Sequence, residues 1–286
     1  MTKKKILIIG SNGYIGYEMF NLLRKEGFDV DGIDNYLRSD VDENKKADIE
    51  KMSYQNLVPD FLDQYTDCIW LAGHSSVKMS IEDENGALRN NLYDLISFSN
   101  LFRGRFIYAS SGSVYSRDEA EQSIETSPNM VPSNVYDYTK ISFDNYIAAT
   151  SKKAIGLRFG TVNGNAKRLR DELMINSMTK SSIKNGYLNV MNPEKFRAVL
   201  YINDLILGIK CIIESSVTSG IYNMASINLS IEEIAKTVSN ELNADIKYLE
   251  NQPTYNFMMD TSKFERTFNF KFTGTVEAMV QSFVAT

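Results

Sequence analysis

The sequence predicts an α/β protein built on a doubly wound parallel sheet, with a smaller C-terminal α/β domain. Three observations predict it. Short apolar runs alternate with longer amphipathic ones through residue 160, a glycine-rich segment joins the first of each kind, and the rhythm loosens beyond residue 165. In order, KILIIG reads as a strand, YEMFNLLRKEG as a helix, FDVDGID and DCIWLA as strands, ALRNNLYDLISFSNLF as a helix and RFIYAS as a strand. A helix from about Tyr136 to Thr150 then precedes the strand IGLRF at 155–159. Further on, helical DELMINSMTKSSIKNG, strand YLNVM, helical NDLILGIKCIIES, strand GIYNMA and helical SIEEIAKTVSNEL follow. Ser230 and Glu233 stand at capping-box spacing at the start of that last helix. The expected domains are 1–165, holding the cofactor and the catalytic groups, and 166–286, mainly for substrate, with segments able to return to the first sheet.

Composition removes several function classes. A net charge of −5 offers no general attraction to nucleic acid or to an anionic membrane, so a phosphate-bearing ligand must be held by a few placed cations. The five-residue apolar run in MTKKKILIIG is broken at once by GSNG, which is not the pattern of a signal peptide, and no stretch reaches transmembrane length. The expected location is therefore cytoplasmic, with no nucleic-acid and no membrane partner. Cys68 and Cys211 lie far apart in apolar stretches, as reduced structural thiols do. His74 is the only histidine, so a multi-histidine metal site is excluded and no metal is expected.

The chemistry-bearing motifs sit where such a sheet places ligands. Gly10-Ser11-Asn12-Gly13-Tyr14-Ile15-Gly16 follows the first strand and opens the first helix. Glycines there permit a tight turn and close backbone approach, and the helix N-terminus presents N–H groups and a positive dipole end to a pyrophosphate. This makes the first domain Rossmann-like. Asp34 ends the second strand eighteen residues after Gly16. Its carboxylate suits the ribose hydroxyls of NAD and repels a 2′-phosphate, while Arg38 nearby is the cation that a 2′-phosphate would need. Tyr136-Asp137-Tyr138-Thr139-Lys140 puts a phenol and an ammonium on one helix face. It comes after Ser110-Ser111-Gly112-Ser113-Val114-Tyr115, at the carboxyl end of a strand, where open α/β sheets bind ligands.

Taken together these residues resemble the extended short-chain dehydrogenase/reductases, the NAD-dependent epimerase/dehydratase family acting on nucleotide sugars. The glycine spacing, GxxGxxG, is the variant of that superfamily. Trp70-Leu71-Ala72-Gly73 resembles the family's HLAA segment beside the cofactor, Asp48-Ile49 its adenine contact, and Asn91 the asparagine of the helix before the catalytic strand. Leu157 to Val162 resembles LRxxNVYG, and Asp171 to Asn176, Phe196-Arg197 and Tyr201 to Asp204 resemble the substrate-side elements. Departures are Thr161 for Asn, Asn163 for Tyr, Ser116 for Gly, and an Asn251–Tyr255 stretch without the second diphosphate arginine.

The resemblance implies roles. Tyr136 takes the proton of a sugar hydroxyl as hydride passes to NAD, Lys140 favours the phenolate and holds the nicotinamide ribose, and Ser111 orients the reacting oxygen. The cofactor set it implies is Gly10, Asn12, Gly13, Tyr14, Ile15, Gly16, Asp34, Asn35, Asp48, Ile49, Leu71, Ala72, Gly73, Asn91, Tyr136 and Lys140. Substrate contacts fall on His74, Ser111, Gly112, Ser113, Thr161, Asn176 and Arg197, with Arg197 clamping a nucleotide diphosphate. His74 has two readings, a border of the nicotinamide pocket or a satisfied loop histidine. Gly112 and Ser113 stand where 4,6-dehydratases carry an Asp-Glu pair, so elimination is expected to be absent. An epimerase of a nucleotide-diphosphate sugar is the leading expectation. An NAD(P)-dependent nucleotide-sugar dehydrogenase or 4-ketoreductase comes next, both suggested by the resemblance at Arg170, Leu173 and Asn176, and a catalytically silent NAD-binding protein last. Relatives pair the helices near 80–102 and 136–150, which implies a homodimer.

Overall fold

The computed structural model describes residues 4–36, 49–116, 121–128 and 131–285. β1 (Lys5–Ile9) runs through the glycine loop into α1 (Tyr14–Lys25), and β2 (Asp29–Asp34) returns parallel to β1. β3 (Ile49–Lys51) pairs parallel with β2, and a short α2 (Pro59–Leu62), opened by a proline at its first turn, precedes β4 (Asp67–Trp70) on the other side of β1. The stretch that follows holds more than the single helix expected at 87–102. It divides into α3 (Val77–Glu82), α4 (Glu84–Leu88), a π-helical turn Arg89–Tyr93 and α5 (Asp94–Leu101). Asp83 breaks the first two by accepting from the Gly86 N–H, a capping bond that an aspartate makes better than it continues a helix.

β5 (Arg105–Ser111) ends in a single 3₁₀ turn, Gly112–Tyr115. After β6 (Gln122–Ser123), α6 (Val135–Ala148) starts on Asn134, whose side-chain oxygen accepts from the Asp137 N–H, and leads to β7 (Ala154–Phe159). Beyond these come β8 (Thr161–Asn163), α7 (Met174–Asn185), β9 (Tyr187–Val190), β10 (Phe196–Tyr201), α8 (Ile202–Glu214) and β11 (Gly220–Met224). The chain closes with β12 (Ile227–Ser230), α9 (Ile231–Leu242), β13 (Asp245–Tyr248), β14 (Met258–Met259), α10 (Ser262–Phe268) and α11 (Val276–Val284). The Ser230/Glu233 capping box forms as its spacing predicts.

Seven strands lie in the order β11-β7-β5-β4-β1-β2-β3, with parallel pairing from β5 through β3. The order reverses between β1 and β4, and the carboxyl ends of strands at such a switch point are where doubly wound sheets bind ligands. This is the predicted Rossmann-like sheet. Contacts divide the chain into two compact units. The first is Met1–Ser110, Val131–Leu157 and Ile213–Ile221, and its core gathers Leu7, Ile9, Trp70, Phe98, Phe106 and Tyr108. The second is Ser111–Met130, Arg158–Ile212 and Tyr222–Thr286, and its core packs Ile175, Leu188, Val199, Ile234, Val238 and Met279. No helix among the described residues is long and apolar enough to cross a membrane.

Candidate active site

In the first unit the glycine loop is set by close approach. Gly10 has φ +84°, and a Cβ there would sit 2.6 Å from the Ala72 nitrogen. A Cβ at Gly16 would lie 2.1 Å from the Gly10 carbonyl oxygen, whereas at Gly13 it would clear that oxygen by 3.3 Å. Two of the three glycines are therefore sterically fixed, and they hold the loop against the end of β4. α1 begins at Gly13 with no side-chain cap and no acidic residue in its first turn, which suits its positive end to an anion. Asn12, Tyr14 and Gly16 are buried there and Ile15 is half-buried.

Asp34 ends β2 as predicted. Its Oδ2 accepts from the Asn12 N–H at 2.9 Å and its Oδ1 from the Tyr36 N–H at 2.8 Å, so the carboxylate also braces the glycine loop. Asn35 is exposed beside it, and Ile49 opens β3. Asp48 and Arg38 lie outside the described residues. Leu71 donates its N–H to Ile9, and the Ala72 carbonyl accepts from the Trp70 indole.

Gly73 (φ +140°), His74 and Asn91 form one construction. Asn91 is buried in the π-helical turn, its Oδ1 accepting from the His74 N–H and its Nδ2 donating to the His74 carbonyl, both at 2.9 Å. Such turns recur at functional sites because they re-aim one side chain. The His74 ring is satisfied: Asn90 Nδ2 meets Nδ1 at 3.2 Å and Asp83 Oδ2 meets Nε2 at 3.1 Å. An amide N–H can only donate, so Nδ1 accepts and Nε2 carries the proton toward Asp83. Asn90 Oδ1 in turn accepts from the Tyr54 hydroxyl, which also reaches Asp94. Of the two readings of His74, this bonding matches the satisfied loop histidine.

Tyr136 and Lys140 share one face of α6, and the Lys140 ammonium stands 5.6 Å from the centre of the Tyr136 ring. Lys140 donates to the Ala109 carbonyl of β5 at 2.8 Å. Its burial pushes the ammonium down to about 8, against the opposing charge of Asp144 one helical turn on. Asp144 is itself buried and accepts from the Tyr108 hydroxyl and the Ser110 hydroxyl, each at 3.0 Å. Sequence reasoning passed over Asp144 and Tyr108, although an acid four residues after Lys140 was the available signal.

In the second unit, Ser111 caps the 3₁₀ turn. Its Oγ accepts from the Ser113 N–H and lies 2.8 Å from the Ser113 hydroxyl. A Cβ on Gly112 would come within 2.5 Å of Met259 Sδ and 2.9 Å of the Phe257 ring, so a side chain there would require those two to shift. Tyr115 donates to Asn223 and accepts from Arg158, a buried set that pins the turn. Thr161 opens β8. The Asn176 amide is spent inside the protein, accepting from the Gly164 N–H and donating to the Arg170 carbonyl. The Arg197 guanidinium donates to Phe196, Tyr255 and Thr254, and burial lowers it to about 10, so it stays a cation at neutral pH.

A sequence model described as the NAD dependent epimerase/dehydratase family matches residues 6–225, well over half the chain. The chain belongs to that family. Among curated relatives of this epimerase/dehydratase, Protein CapI of Staphylococcus aureus is 27% identical over 234 residues, 73% of this chain and 69% of the relative. Among solved structures, the Bacillus cereus UDP-glucuronic acid 4-epimerase in complex with UDP-glucuronic acid and NAD superposes with a TM-score of 0.83 at 20% identity, covering 97% of each chain. TunA, an NAD dependent NDP-hexosamine 5,6-dehydratase, superposes with a TM-score of 0.84 at 18% identity, covering 99% of each. At these identities the two structures establish the fold, and they show that it serves both epimerisation and elimination. For this family member, Gly16→Ala is expected to cost roughly 1–3 kcal/mol of stability and to weaken NAD binding, measured by thermal unfolding with and without NAD.

Proposed function

We propose that the protein is a nucleotide-sugar epimerase that retains NAD and works through Ser111, Tyr136 and Lys140. The observation that carries this is Lys140: an ammonium buried in the first unit, tied to β5 through the Ala109 carbonyl and set beside a tyrosine one turn earlier. Burying a cation is costly, and such groups concentrate where their charge does chemistry.

The loop fits NAD. Gly10 and Gly16 keep backbone close to a pyrophosphate, α1 offers an uncapped N-terminus, and Asp34 ends β2 where a ribose is held. Bound there, NAD would supply a reversible hydride acceptor for a sugar carbon. Tyr136 removes the proton from the hydroxyl on that carbon and gives it back. The Lys140 charge favours the phenolate over the phenol, and Ser111 donates a hydrogen bond to the reacting oxygen. Arg197, aligned by Thr254 and Tyr255, is the cation available to a nucleotide diphosphate, and the Asn251–Tyr255 stretch adds no second arginine.

Elimination needs a further acid and base. Neither Gly112 nor Ser113 is a carboxylate, which supports epimerisation over 4,6-elimination. The test is incubation with UDP-, GDP-, CDP- and dTDP-sugars, read by NMR. Inverted configuration at one sugar carbon supports the reading. An unsaturated or deoxy-keto product would show that elimination had been wrongly set aside.

A further inference from the structure

The polar groups behind Lys140 have no part in the steps above. Asp144 is 1% exposed, and both its oxygens are turned onto β5, one to the Tyr108 hydroxyl and one to the Ser110 hydroxyl. The same strand supplies the Ala109 carbonyl to Lys140 and runs directly into Ser111. Three consecutive positions of β5, Tyr108, Ala109 and Ser110, are thus tied to α6. The arrangement has been given room: a Cβ on Gly156 of β7 would lie 2.4 Å from the Tyr108 hydroxyl, so a glycine there keeps that phenol on Asp144. Tyr108 is further held edge-on by Phe143, the residue before Asp144.

We propose that Asp144 is a positioning residue for the catalytic centre, its carboxylate locking α6 to β5 so that Lys140 is held in place against Ala109. This rests on the reading of Lys140 and Ser111 above. A buried carboxylate turned onto two hydroxyl donors is a costly way to join a helix to a strand, since apolar packing would do so more cheaply. What it adds is charge. The Tyr136 ring stands beside the Lys140 ammonium, and Asp144 is the group whose charge opposes burial and keeps the proton on Lys140.

Asp144→Asn keeps the shape and removes the charge, whereas Tyr108→Phe and Ser110→Ala keep the charge and remove one bond each. In the cofactor-free protein, a ¹⁵N NMR titration should find the wild-type Lys140 ammonium near 8. In Asp144→Asn it should fall by about one unit, the usual reach of a nearby opposite charge, and in Tyr108→Phe and Ser110→Ala it should move far less. In turnover, the alkaline limb of the kcat profile should move to lower pH in Asp144→Asn alone, while all three variants lose kcat several-fold more than KM changes. An unmoved Lys140 titration in folded Asp144→Asn would overturn the proposal even if the enzyme proves to be an epimerase. A shifted titration in a protein that turns over no nucleotide sugar would instead leave Asp144 in place and sink the functional reading. If Asp144→Asn does not fold, unchanged kcat in both Tyr108→Phe and Ser110→Ala overturns the proposal, and reduced kcat in folded protein sustains it.

Discussion

Tyr136→Phe should lower turnover by about 10²–10⁴-fold, the range that a positioned acid–base group supplies, and leave NAD binding and folding close to wild type. The substitution deletes one oxygen, so the α6 face, its Asn134 cap and the Lys140 bond to Ala109 all persist. A phenol is a poor base at neutral pH, with an ordinary value near 10, so the step depends on the positive charge beside it. That charge is itself sensitive to pH. With Lys140 held near 8, below its ordinary value, the ammonium is present at neutral pH and is lost as pH rises through that value. Steady-state kinetics of wild type and Tyr136→Phe, with NAD content read by absorbance, checks the result. Turnover within threefold of wild type would remove Tyr136 from the chemistry.

The second large effect is on stability and lies far from that chemistry. Arg105→Met should cost about 3–5 kcal/mol, as expected when one partner of a buried ion pair is removed and the other is left charged. Arg105 at the start of β5 meets Asp67 of β4 at 2.6 Å, and both are buried. Its guanidinium also donates to the carbonyls of Ile213, Ser215 and Val217, closing the end of α8 and the turn after it. The loss therefore takes the guanidinium from the Asp67 carboxylate, which keeps the Thr66 hydroxyl, and one donor from each of three carbonyls, of which Ile213 and Ser215 keep Lys4. Chemical denaturation measures it. A loss below 1 kcal/mol would mean that water reaches the pair.

How far the sequence carried depends on how local each feature is. The glycine loop, Asp34 and the Ser230 capping box were legible because spacing along one chain determines them. YxxxK was equally local, and it placed Tyr136 and Lys140 on one helix face as expected. The stretch 87–102 reads as one helix because its apolar period is continuous. The π-helical turn at Asn91 overrides that period for bonds made to His74. β10, β12 and β13 were not read as strands, since the partner of each is distant in sequence. His74, Asn176 and Arg197 were assigned from their positions alone. Their bonds to Asp83, Gly164 and Tyr255 exist only once distant segments pack. Asp144 was missed for the same reason, because its partners Tyr108 and Ser110 lie on a strand some thirty residues away.

The most direct test of the central claim is the NAD balance during turnover. Purified protein is assayed for bound nicotinamide by mass and absorbance, then given a nucleotide sugar that it converts while 340 nm absorbance is followed. Retained NAD with a change of configuration and no net NADH is the predicted result. Protein that arrives empty, and gains or loses NADH in step with product, would contradict it and identify a net dehydrogenase or ketoreductase.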